Sequence, residues 1–333
     1  MLVLSNALAG SGRDRIEEAV VRLASRERHK IARINLIDEI VDIGREHISK
    51  DLDPPKLLNL DTKTLNSIKS FAFERIKRRI EESKGIDYIL DSHASFWWKN
   101  SAINLTTIKD IRFLNPDLIV TLYASPNEVY ANLIKRKEWQ DKGIDELEIA
   151  IWQSQEVYTA DIIANELGKQ NYLVGSREDP HTLLDLIYHR DKPKVYVSFA
   201  MSHRKEGYEK LDRFVKRLRK HCIVFDPRSV DIMAYKVSGD KRLKDYIFNN
   251  TVKRDYHFID QSDMVVVYLQ ELTYSSGVDS ERIYAYTEGK PVLLYFPFKH
   301  YSPFTPYYAD KMFEDENELI RYIEQNQTKA QKQ

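Results

Sequence analysis

Short apolar runs alternate along the chain with longer segments whose apolar residues recur at helical spacing. Four runs in the first half have the length of buried strands: 2–5, 88–91, 118–123 and 172–174. Segment 66–82, between two of them, has the apolar period of an amphipathic helix. Strands that alternate with helices are typical of a mostly parallel sheet covered by helices. The first half is therefore predicted to be a doubly wound α/β domain.

This pattern is interrupted at residues 190–194 by a short charged segment that contains a proline. A second series of apolar runs follows, again separated by helical segments: 195–200, 222–227, 263–269 and 291–296. A chain of 333 residues is also long for one hydrophobic core. We therefore predict two doubly wound, mostly parallel α/β domains, at residues 1–190 and 194–325.

The charged residues balance, with 51 lysines and arginines against 51 aspartates and glutamates. A net charge of zero argues against a protein that mainly binds nucleic-acid phosphates, but not against a small nucleotide ligand. The single cysteine, Cys222, cannot form an internal disulfide, and no spacing of ligands indicates a metal site. The first ten residues lack the basic region of a signal peptide and are too short for a membrane span. We expect a soluble cytoplasmic protein without a membrane or nucleic-acid partner.

A loop of small residues between the first strand and the next helical segment is one candidate site. Such loops bind phosphate on backbone N–H groups when they follow the pattern G-x-x-x-x-G-K-[ST]. Here Ala7, Arg13 and Asp14 replace the first glycine, the lysine and the hydroxyl residue. We expect the charge of Asp14 to face the phosphates and weaken their binding. The nucleotide-binding candidates are Gly10, Gly12 and Arg13, and the alternative is an ordinary glycine turn that caps a helix.

Residues 1–188 resemble an archaeal-type adenylate kinase or a related small nucleotide kinase. The resemblance is carried by the strand that ends in DSH at 91–93 and by LNPD at 114–117. It implies a P-loop kinase fold that binds ATP or another nucleotide. Without the lysine and the hydroxyl, a transferred phosphate lacks its clamp and its metal tether, so kinase activity is not expected. Trp97 and Trp98 fit either core packing or a surface on which a base stacks.

Three acidic residues in the second half lie next to predicted strands. Asp255 and Asp263 are eight residues apart, Asp263 begins a predicted strand, and Glu281 follows the turn SSGVDS and begins a predicted helix. Breaking an N-glycosidic bond develops positive charge on the sugar, which one carboxylate attacks or stabilises while a second acid assists the leaving base. The spacing therefore indicates glycosidic chemistry in one crevice. The alternative is a glutamate that merely benefits from the helix dipole.

Residues 194–298 resemble the nucleoside 2-deoxyribosyltransferases and the related 2′-deoxynucleoside 5′-phosphate N-hydrolases. The shared features are a tyrosine on the opening strand, an aspartate pair spaced D-x7-D, and the segment SSGVDSERIYAYTEGKPV. The resemblance implies that Glu281 is the nucleophile and Asp255 the second catalytic carboxylate. The substrate-binding residues that it implies are Tyr196 at the sugar, Asp263 in support of the site, Ser202 and Ser275 at a 5′-phosphate, and Gly277 beside them.

The sequence thus predicts an enzyme of nucleotide metabolism that cleaves, or transfers across, the N-glycosidic bond of a (deoxy)nucleoside or its 5′-monophosphate. This chemistry requires no cofactor or metal, whereas ATP or another nucleotide is the ligand expected in the first domain. The partner is a small nucleoside or nucleotide, and a homo-oligomer is expected if subunits complete each other's sites as in the related transferases. The alternatives are a non-catalytic nucleotide sensor, an active nucleoside monophosphate kinase and an NAD glycohydrolase.

Overall fold

The structure is a computed structural model that describes residues 1–140, 143–200, 205–230, 240–271 and 274–330. Ser202, one of the predicted phosphate contacts, lies outside the described residues. The chain divides into two compact units. The N-terminal unit comprises Met1–Pro180 and Val230–Phe248, and the C-terminal unit comprises His181–Ser229 and Asn249–Gln333.

Within its described residues, the N-terminal unit contains seven strands, eight whole helices and the start of a further helix at 241–248. The strands are β1 (Leu2–Ala7), β2 (Ile31–Asn35), β3 (Asp87–Ser92), β4 (Ser95–Trp98), β5 (Ser101–Asn104), β6 (Leu118–Tyr123) and β7 (Asn171–Gly175). The helices are α1 (Arg13–Arg26), α2 (Leu36–His47), α3 (Pro54–Leu57), α4 (Thr62–Glu82), α5 (Ile108–Leu114), α6 (Pro126–Leu133), α7 (Lys137–Gln140) and α8 (Glu146–Glu166).

Five of these strands form a parallel sheet in the order β2-β3-β1-β6-β7. β1 lies at the centre and is buried along its whole length. The chain leaves β1 for the edge strand β2 and later returns to β6 on the other side, so the strand order reverses beside β1. Ligands of open α/β sheets bind outside the carboxyl ends of the strands at such a reversal. The loop that follows β1 lies at this position.

β4 and β5 form a separate antiparallel hairpin with a two-residue turn at Lys99 and Asn100. Both turn residues have positive φ, 51° and 57°. Two central residues in the left-handed region are typical of a type I′ turn, whose twist matches that of the paired strands. The hairpin thereby fixes Trp97 and Trp98, which precede the turn, on opposite faces of β4.

The C-terminal unit is built in the same way from a second set of elements. Its strands are β8 (Lys194–Ser198), β9 (Ile223–Phe225), β10 (Met264–Tyr268), β11 (Val292–Tyr295) and β12 (Lys311–Phe313). Its helices are α9 (Pro180–Tyr188, from His181 onward), α10 (Lys205–Leu218), α11 (Lys241–Asp260, from Asn249 onward), α12 (Ser276–Thr287), α13 (Phe304–Tyr307) and α14 (Glu316–Ala330).

The strands of the C-terminal unit form a parallel sheet in the order β12-β11-β10-β8-β9. Counted along the chain, this is the 2-1-3-4-5 order of flavodoxin-like sheets, which places the reversal between β8 and β10. Val197, Phe214 and Val266 are fully buried in the core beside these strands. The fold-class prediction of two doubly wound, mostly parallel α/β domains is confirmed.

The helix that carries Glu281 begins earlier than the sequence predicted. α12 starts at Ser276, directly after Ser275, which provides a capping side chain. Glu281 is therefore the sixth residue of the helix, and its position in the second turn is not at the positive end of the helix dipole. The alternative that Glu281 merely benefits from that dipole loses its basis.

Candidate active site

Glu281 is held at the reversal of the C-terminal sheet by two hydroxyl groups of β8. The Tyr196 hydroxyl donates to Glu281 Oε1 at 3.0 Å, and the Ser198 hydroxyl donates to Oε2 at 2.5 Å. Tyr196 and Ser198 are two residues apart on the strand, so both side chains point to the same face of the sheet. Both are fully buried, whereas Glu281 is half-buried. Each oxygen of the Glu281 carboxyl group thus has a fixed hydroxyl partner.

Asp255 approaches the same face from α11, the helix before β10. Phe258, three residues later on α11, stacks on Tyr196 with 6.3 Å between the ring centroids, and residues three apart share a helix face. Asp255 Oδ1 accepts two hydrogen bonds from Arg254, at 3.0 Å from Nε and 2.7 Å from Nη2. The Arg254 side chain is only 3% exposed. A buried arginine therefore orients the second carboxyl group.

The surroundings of the two carboxyl groups favour retention of a proton. Burial, and then the negative charge of Asp255, raises the pKa of Glu281 to about 8 against the opposing effect of its hydroxyl partners. Burial also raises the pKa of Asp255, although Arg254 opposes this shift. Arg254 stabilises the ionised form of Asp255, which favours Glu281 as the protonated member of the pair.

Tyr196 remains a hydrogen-bond donor throughout the neutral pH range. Burial, and then the charges of Asp255 and Glu281, raises the pKa of Tyr196 well above its ordinary value. Its hydroxyl proton is therefore retained when Glu281 ionises. This hydrogen bond can stabilise a carboxylate at Glu281 in the same position that the structure shows.

Asp263 does not belong to this cluster, and its predicted role in the substrate site is corrected. It precedes β10 at the amino end of the sheet, where its Oδ2 accepts a hydrogen bond from the backbone N–H of Lys194 at 2.8 Å. The carboxyl ends of these strands lie about 13 Å away, four residues at about 3.3 Å each. Asp263 joins the starts of β8 and β10, and the Asp263 side chain is 54% exposed.

Ser275 and Gly277 lie at the start of α12. The Ser275 hydroxyl accepts a hydrogen bond from the Val278 N–H at 3.4 Å and so acts as the N-cap. A Cβ placed on Gly277 would meet only this hydroxyl, at 3.9 Å, so packing does not require a glycine there. Ser275 thus has a structural role. The contacts of Ser275 and Gly277 with a 5′-phosphate stay predictions.

Two members of the cluster, Ser198 and Arg254, were not among the residues predicted from the sequence. Ser198 follows the predicted Tyr196 by two positions on a strand, so strand periodicity could have identified it. Arg254 is the direct neighbour of Asp255 on a helix, where adjacent residues point about 100° apart. The structure shows that both side chains are largely buried and joined by two hydrogen bonds, so Arg254 orients Asp255.

The loop after β1 needs its glycines for conformational reasons. Gly10 and Gly12 have φ angles of 81° and 82°, in the region that disfavours residues with a Cβ. At Gly10 a Cβ would also lie 3.1 Å from the carbonyl oxygen of Val129. Gly12 is the N-cap residue of α1 and supplies no capping side chain, so the first N–H groups of this helix lack such a partner.

Arg13 and Asp14 do not have the arrangement that the sequence predicted. The Arg13 guanidinium donates to the backbone carbonyls of Ser5 at 3.3 Å and Ser92 at 2.5 Å. Asp14 pairs with Arg33 at 2.5 Å; partial burial acts to raise the pKa of Asp14, but the hydrogen bond and charge of Arg33 outweigh it, and the pKa is lowered. The charge expected to repel phosphates is therefore compensated, and Arg13 is directed to the ends of β1 and β3.

Solved structures of both expected enzyme classes are similar to this chain. A 2-deoxyribosyltransferase from Bacillus psychrosaccharolyticus is 20% identical and covers 38% of this chain and 90% of its own, with a TM-score of 0.30. A CMP N-glycosidase from Clostridium botulinum is 16% identical and covers 39% of this chain and 98% of its own, with a TM-score of 0.26. Shikimate kinase from Acinetobacter baumannii is 12% identical and covers 57% of this chain and 93% of its own, with a TM-score of 0.36.

These matches fall into two groups, two enzymes that act on glycosidic bonds and one kinase. With identities of 20% or less and TM-scores no higher than 0.36, they carry no information about activity or substrate. No protein-family profile and no curated protein matches the chain significantly. Across the described ranges, no helix combines the length and the apolar character that crossing a membrane requires.

Proposed function

We propose that the C-terminal unit cleaves the N-glycosidic bond of a nucleoside or nucleoside 5′-monophosphate, or transfers the glycosyl group to a second base. The observation that carries this proposal is the Glu281 carboxyl group, held by Tyr196 and Ser198 at the reversal of the sheet. A second carboxyl group, Asp255, approaches the same face and raises the pKa of the first. Two carboxyl groups that share one proton are suited to act as nucleophile and acid in turn.

In the first step, Glu281 as carboxylate attacks the anomeric carbon, and the bond from this carbon to the base nitrogen breaks. The base leaves with the bonding electrons and takes a proton from Asp255. The proton of the pair must therefore pass from Glu281 to Asp255 as the bond to the base begins to break. Positive charge that develops on the sugar beside Glu281 favours this transfer, because it lowers the pKa of the nearest carboxyl group.

In the second step, water or an acceptor base attacks the same carbon. The ester bond to Glu281 breaks and its electrons return to the carboxylate, while Asp255 accepts the proton of the attacking group. The hydrogen bonds from Tyr196 and Ser198 hold the carboxylate in place in both steps. Water as the attacking group makes the enzyme a hydrolase, and a base makes it a transferase.

The release of free base, separated by chromatography from a panel of nucleosides, their 5′-monophosphates and NAD, tests this function. We expect Glu281→Gln to lower the rate by about 10⁴-fold, the scale of losing a nucleophile, with an unchanged circular dichroism spectrum. Glu288→Gln makes the same substitution at an exposed residue directly after α12 and should keep full activity. Unchanged turnover by Glu281→Gln, or no release from any substrate by the unmodified protein, would contradict the proposal.

A further inference from the structure

A cavity of about 1050 Å³ lies in the N-terminal unit. Its walls come from the loop after β1, the starts of α2 and α3, the β4–β5 hairpin, and the segment from the end of α6 into α7. Pockets for small molecules usually measure about 300–1,000 Å³. The cavity is therefore large enough for a ligand of nucleotide size, and it lies at the sheet reversal beside β1 where α/β folds bind ligands.

The residues at this cavity do not fit the magnesium–ATP complex that the kinase resemblance implies. A kinase loop supplies a lysine to the phosphates and a hydroxyl to the magnesium ion, whereas Arg13 binds backbone carbonyls and Asp14 binds Arg33. The Arg33 guanidinium also lies 2.7 Å from Asp91 Oδ2 and 2.8 Å from Glu17 Oε2. Three carboxyl groups near the loop thus already share an internal cation.

Burial makes this internal cation difficult to replace. Glu17 and Asp91 are 0% and 2% exposed. A metal ion would have to displace a guanidinium from carboxylates that are out of contact with water, where removing one partner of an ion pair is strongly unfavourable. Within the described residues, no group of three or more His, Cys, Asp or Glu side chains is arranged to hold a metal ion.

Three cationic side chains of the cavity wall, Lys99, Lys135 and Arg136, are exposed and have no ion-pair partner among the described residues. Arg136 is close enough to the loop that its charge helps to lower the pKa of both Asp14 and His93. Unpaired cations next to an uncapped helix N-terminus, that of α1, favour a phosphate group. The charge of the wall therefore indicates an anionic ligand.

Aromatic side chains form another part of the wall: Phe96, Trp97, Trp98 and Trp139. Trp139 is fixed by stacking on Trp152, with 5.6 Å between the ring centroids. Trp97 is 8% exposed, and its indole N–H has no hydrogen-bond partner within the described part of the chain. A flat ring with a hydrogen-bond acceptor is the ligand group that such a wall accommodates.

Two buried polar atoms of the wall, His93 Nδ1 and Ser11 Oγ, also have no partner among the residues that the structure describes. His93 is 6% exposed and Ser11 is 1% exposed. Burial and, after it, the positive charges of Arg13 and Arg136 lower the pKa of His93 to about 3. A hydrogen bond between the ring and the backbone of Ala7 opposes this shift. A neutral imidazole nitrogen without a partner accepts a hydrogen bond, so the ligand carries a hydroxyl or amino donor.

We propose that this cavity binds a phosphorylated aromatic ligand of nucleoside-monophosphate size without a divalent cation. The ring lies on the tryptophan wall, a hydroxyl or amino group donates to His93, and the phosphate lies at Lys135 and Arg136. Arg33 holds the carboxyl groups that a metal ion would otherwise bridge. This binding is independent of the function proposed for the C-terminal unit.

Tryptophan fluorescence reports on this cavity, because all four tryptophans of the chain, at positions 97, 98, 139 and 152, lie in the N-terminal unit. The full chain with Glu281→Gln, which prevents cleavage, is titrated with the 5′-monophosphates of adenosine, guanosine, cytidine and uridine in EDTA. We expect at least one to change the fluorescence with the same Kd in EDTA and in magnesium, and its nucleoside to bind at least about tenfold more weakly. A requirement for magnesium, equal binding of the nucleoside, or no response to any monophosphate would overturn the proposal.

The position of the phosphate is tested with the double variant Lys135→Ala/Arg136→Ala, whose exposed positions leave the core intact. We expect its Kd for the bound monophosphate to rise about 100-fold, the effect of two charged hydrogen-bond donors, with little change for the nucleoside. Arg78→Ala/Lys84→Ala removes the same charge from exposed positions at and beyond the end of α4 and should leave Kd unchanged. An unchanged Kd in the cavity variant, or an equal rise in the control, would overturn the assignment.

Discussion

Two clusters of carboxyl groups, one in each unit, differ in the groups that bond them. In the N-terminal unit, Arg33 lies within 2.8 Å of the exposed Asp14 and of the buried Glu17 and Asp91, so each has a guanidinium partner. In the C-terminal unit, Arg254 bonds Asp255, whereas the hydrogen bonds to Glu281 come from hydroxyl groups. The first arrangement joins strands and helices through one cation, and the second leaves one carboxyl group with neutral partners.

This difference shows which buried acids can exchange a proton. A hydrogen bond from a guanidinium stabilises the charged form of a carboxyl group, whereas burial and a neighbouring carboxylate favour the protonated form, as at Glu17. Glu281 is a buried carboxyl group with hydroxyl partners and a second acid nearby. Its pKa of about 8 means that it keeps its proton at neutral pH. General acid and nucleophilic roles require a group whose ionisation can change during the reaction. The cluster around Glu281 meets this requirement, with a pKa of about 8 at Glu281.

The largest expected effect is the loss of stability when Arg33 is replaced. Arg33→Met leaves Glu17 and Asp91 buried without their cation, which should destabilise the N-terminal unit by about 3–5 kcal/mol at pH 7. Urea unfolding followed by tryptophan fluorescence measures this. Arg26→Met, at the exposed end of α1, is the control and should change the free energy of unfolding by less than about 0.5 kcal/mol. Similar stabilities of both variants would show that Arg33 is not the cation that holds this cluster.

Replacement of Arg254 should have the next largest effect, on activity rather than on ligand affinity. Arg254→Met frees the Asp255 carboxyl group to rotate, so kcat should fall by about 100-fold with little change in KM. Loss of the positive charge also raises the pKa of both acids, so the decline of activity at high pH should move to higher pH. Arg254→Lys should recover part of the lost kcat and part of the original pH profile. A lower rate with an unmoved pH profile would assign Arg254 a purely structural role.

The raised pKa of Glu281 has a consequence for stability, with a defined sign. Its folded pKa of about 8 exceeds the ordinary value of 4.5, so between these values the folded protein binds more protons than the unfolded chain. The contribution of Glu281 to stability is therefore present below pH 4.5 and is lost as the pH rises through 8. Glu281→Gln removes this loss, so between pH 5 and pH 9 its free energy of unfolding should fall by at least about 2 kcal/mol less than that of the unmodified protein. Urea unfolding followed by circular dichroism at pH 5 and pH 9 measures the difference, and equal slopes for both proteins would contradict it.

The smallest effect concerns the cap of the helix that carries Glu281. Ser275→Ala should destabilise the C-terminal unit by about 1 kcal/mol, the usual contribution of an N-cap. Ser275→Asp keeps a capping oxygen but would repel a bound phosphate. If Ser275 also contacts a 5′-phosphate, Ser275→Asp should lower base release from 5′-monophosphates by at least about tenfold and leave nucleosides unaffected. If Ser275→Asp changes the rates on 5′-monophosphates and on nucleosides by the same factor, Ser275 acts only as the helix cap.

The local pattern of the sequence was sufficient for the architecture and for part of the site. Apolar periodicity predicts both sheets, because strand and helix periods are properties of short segments. The order of strand, turn, acid and helix identifies Glu281 for the same reason. The spacing of Asp255 from the next strand identifies the second acid, but it also suggested Asp263, whose side chain lies at the opposite end of that strand.

Tertiary structure alone decided which groups meet and which protons they hold. Arg33 reaches Asp14 and Asp91, which are 19 and 58 positions away in the chain, and Tyr196 reaches Glu281 across 85 positions. Such partners depend on how strands order themselves in a sheet and which helix covers them. Burial then sets the ionisation of each group, because the free energy of a charge depends on the water and partners around it. The sequence supplied the acids, and packing determined that Arg33 pairs with one set and that the hydroxyl groups of Tyr196 and Ser198 bond Glu281.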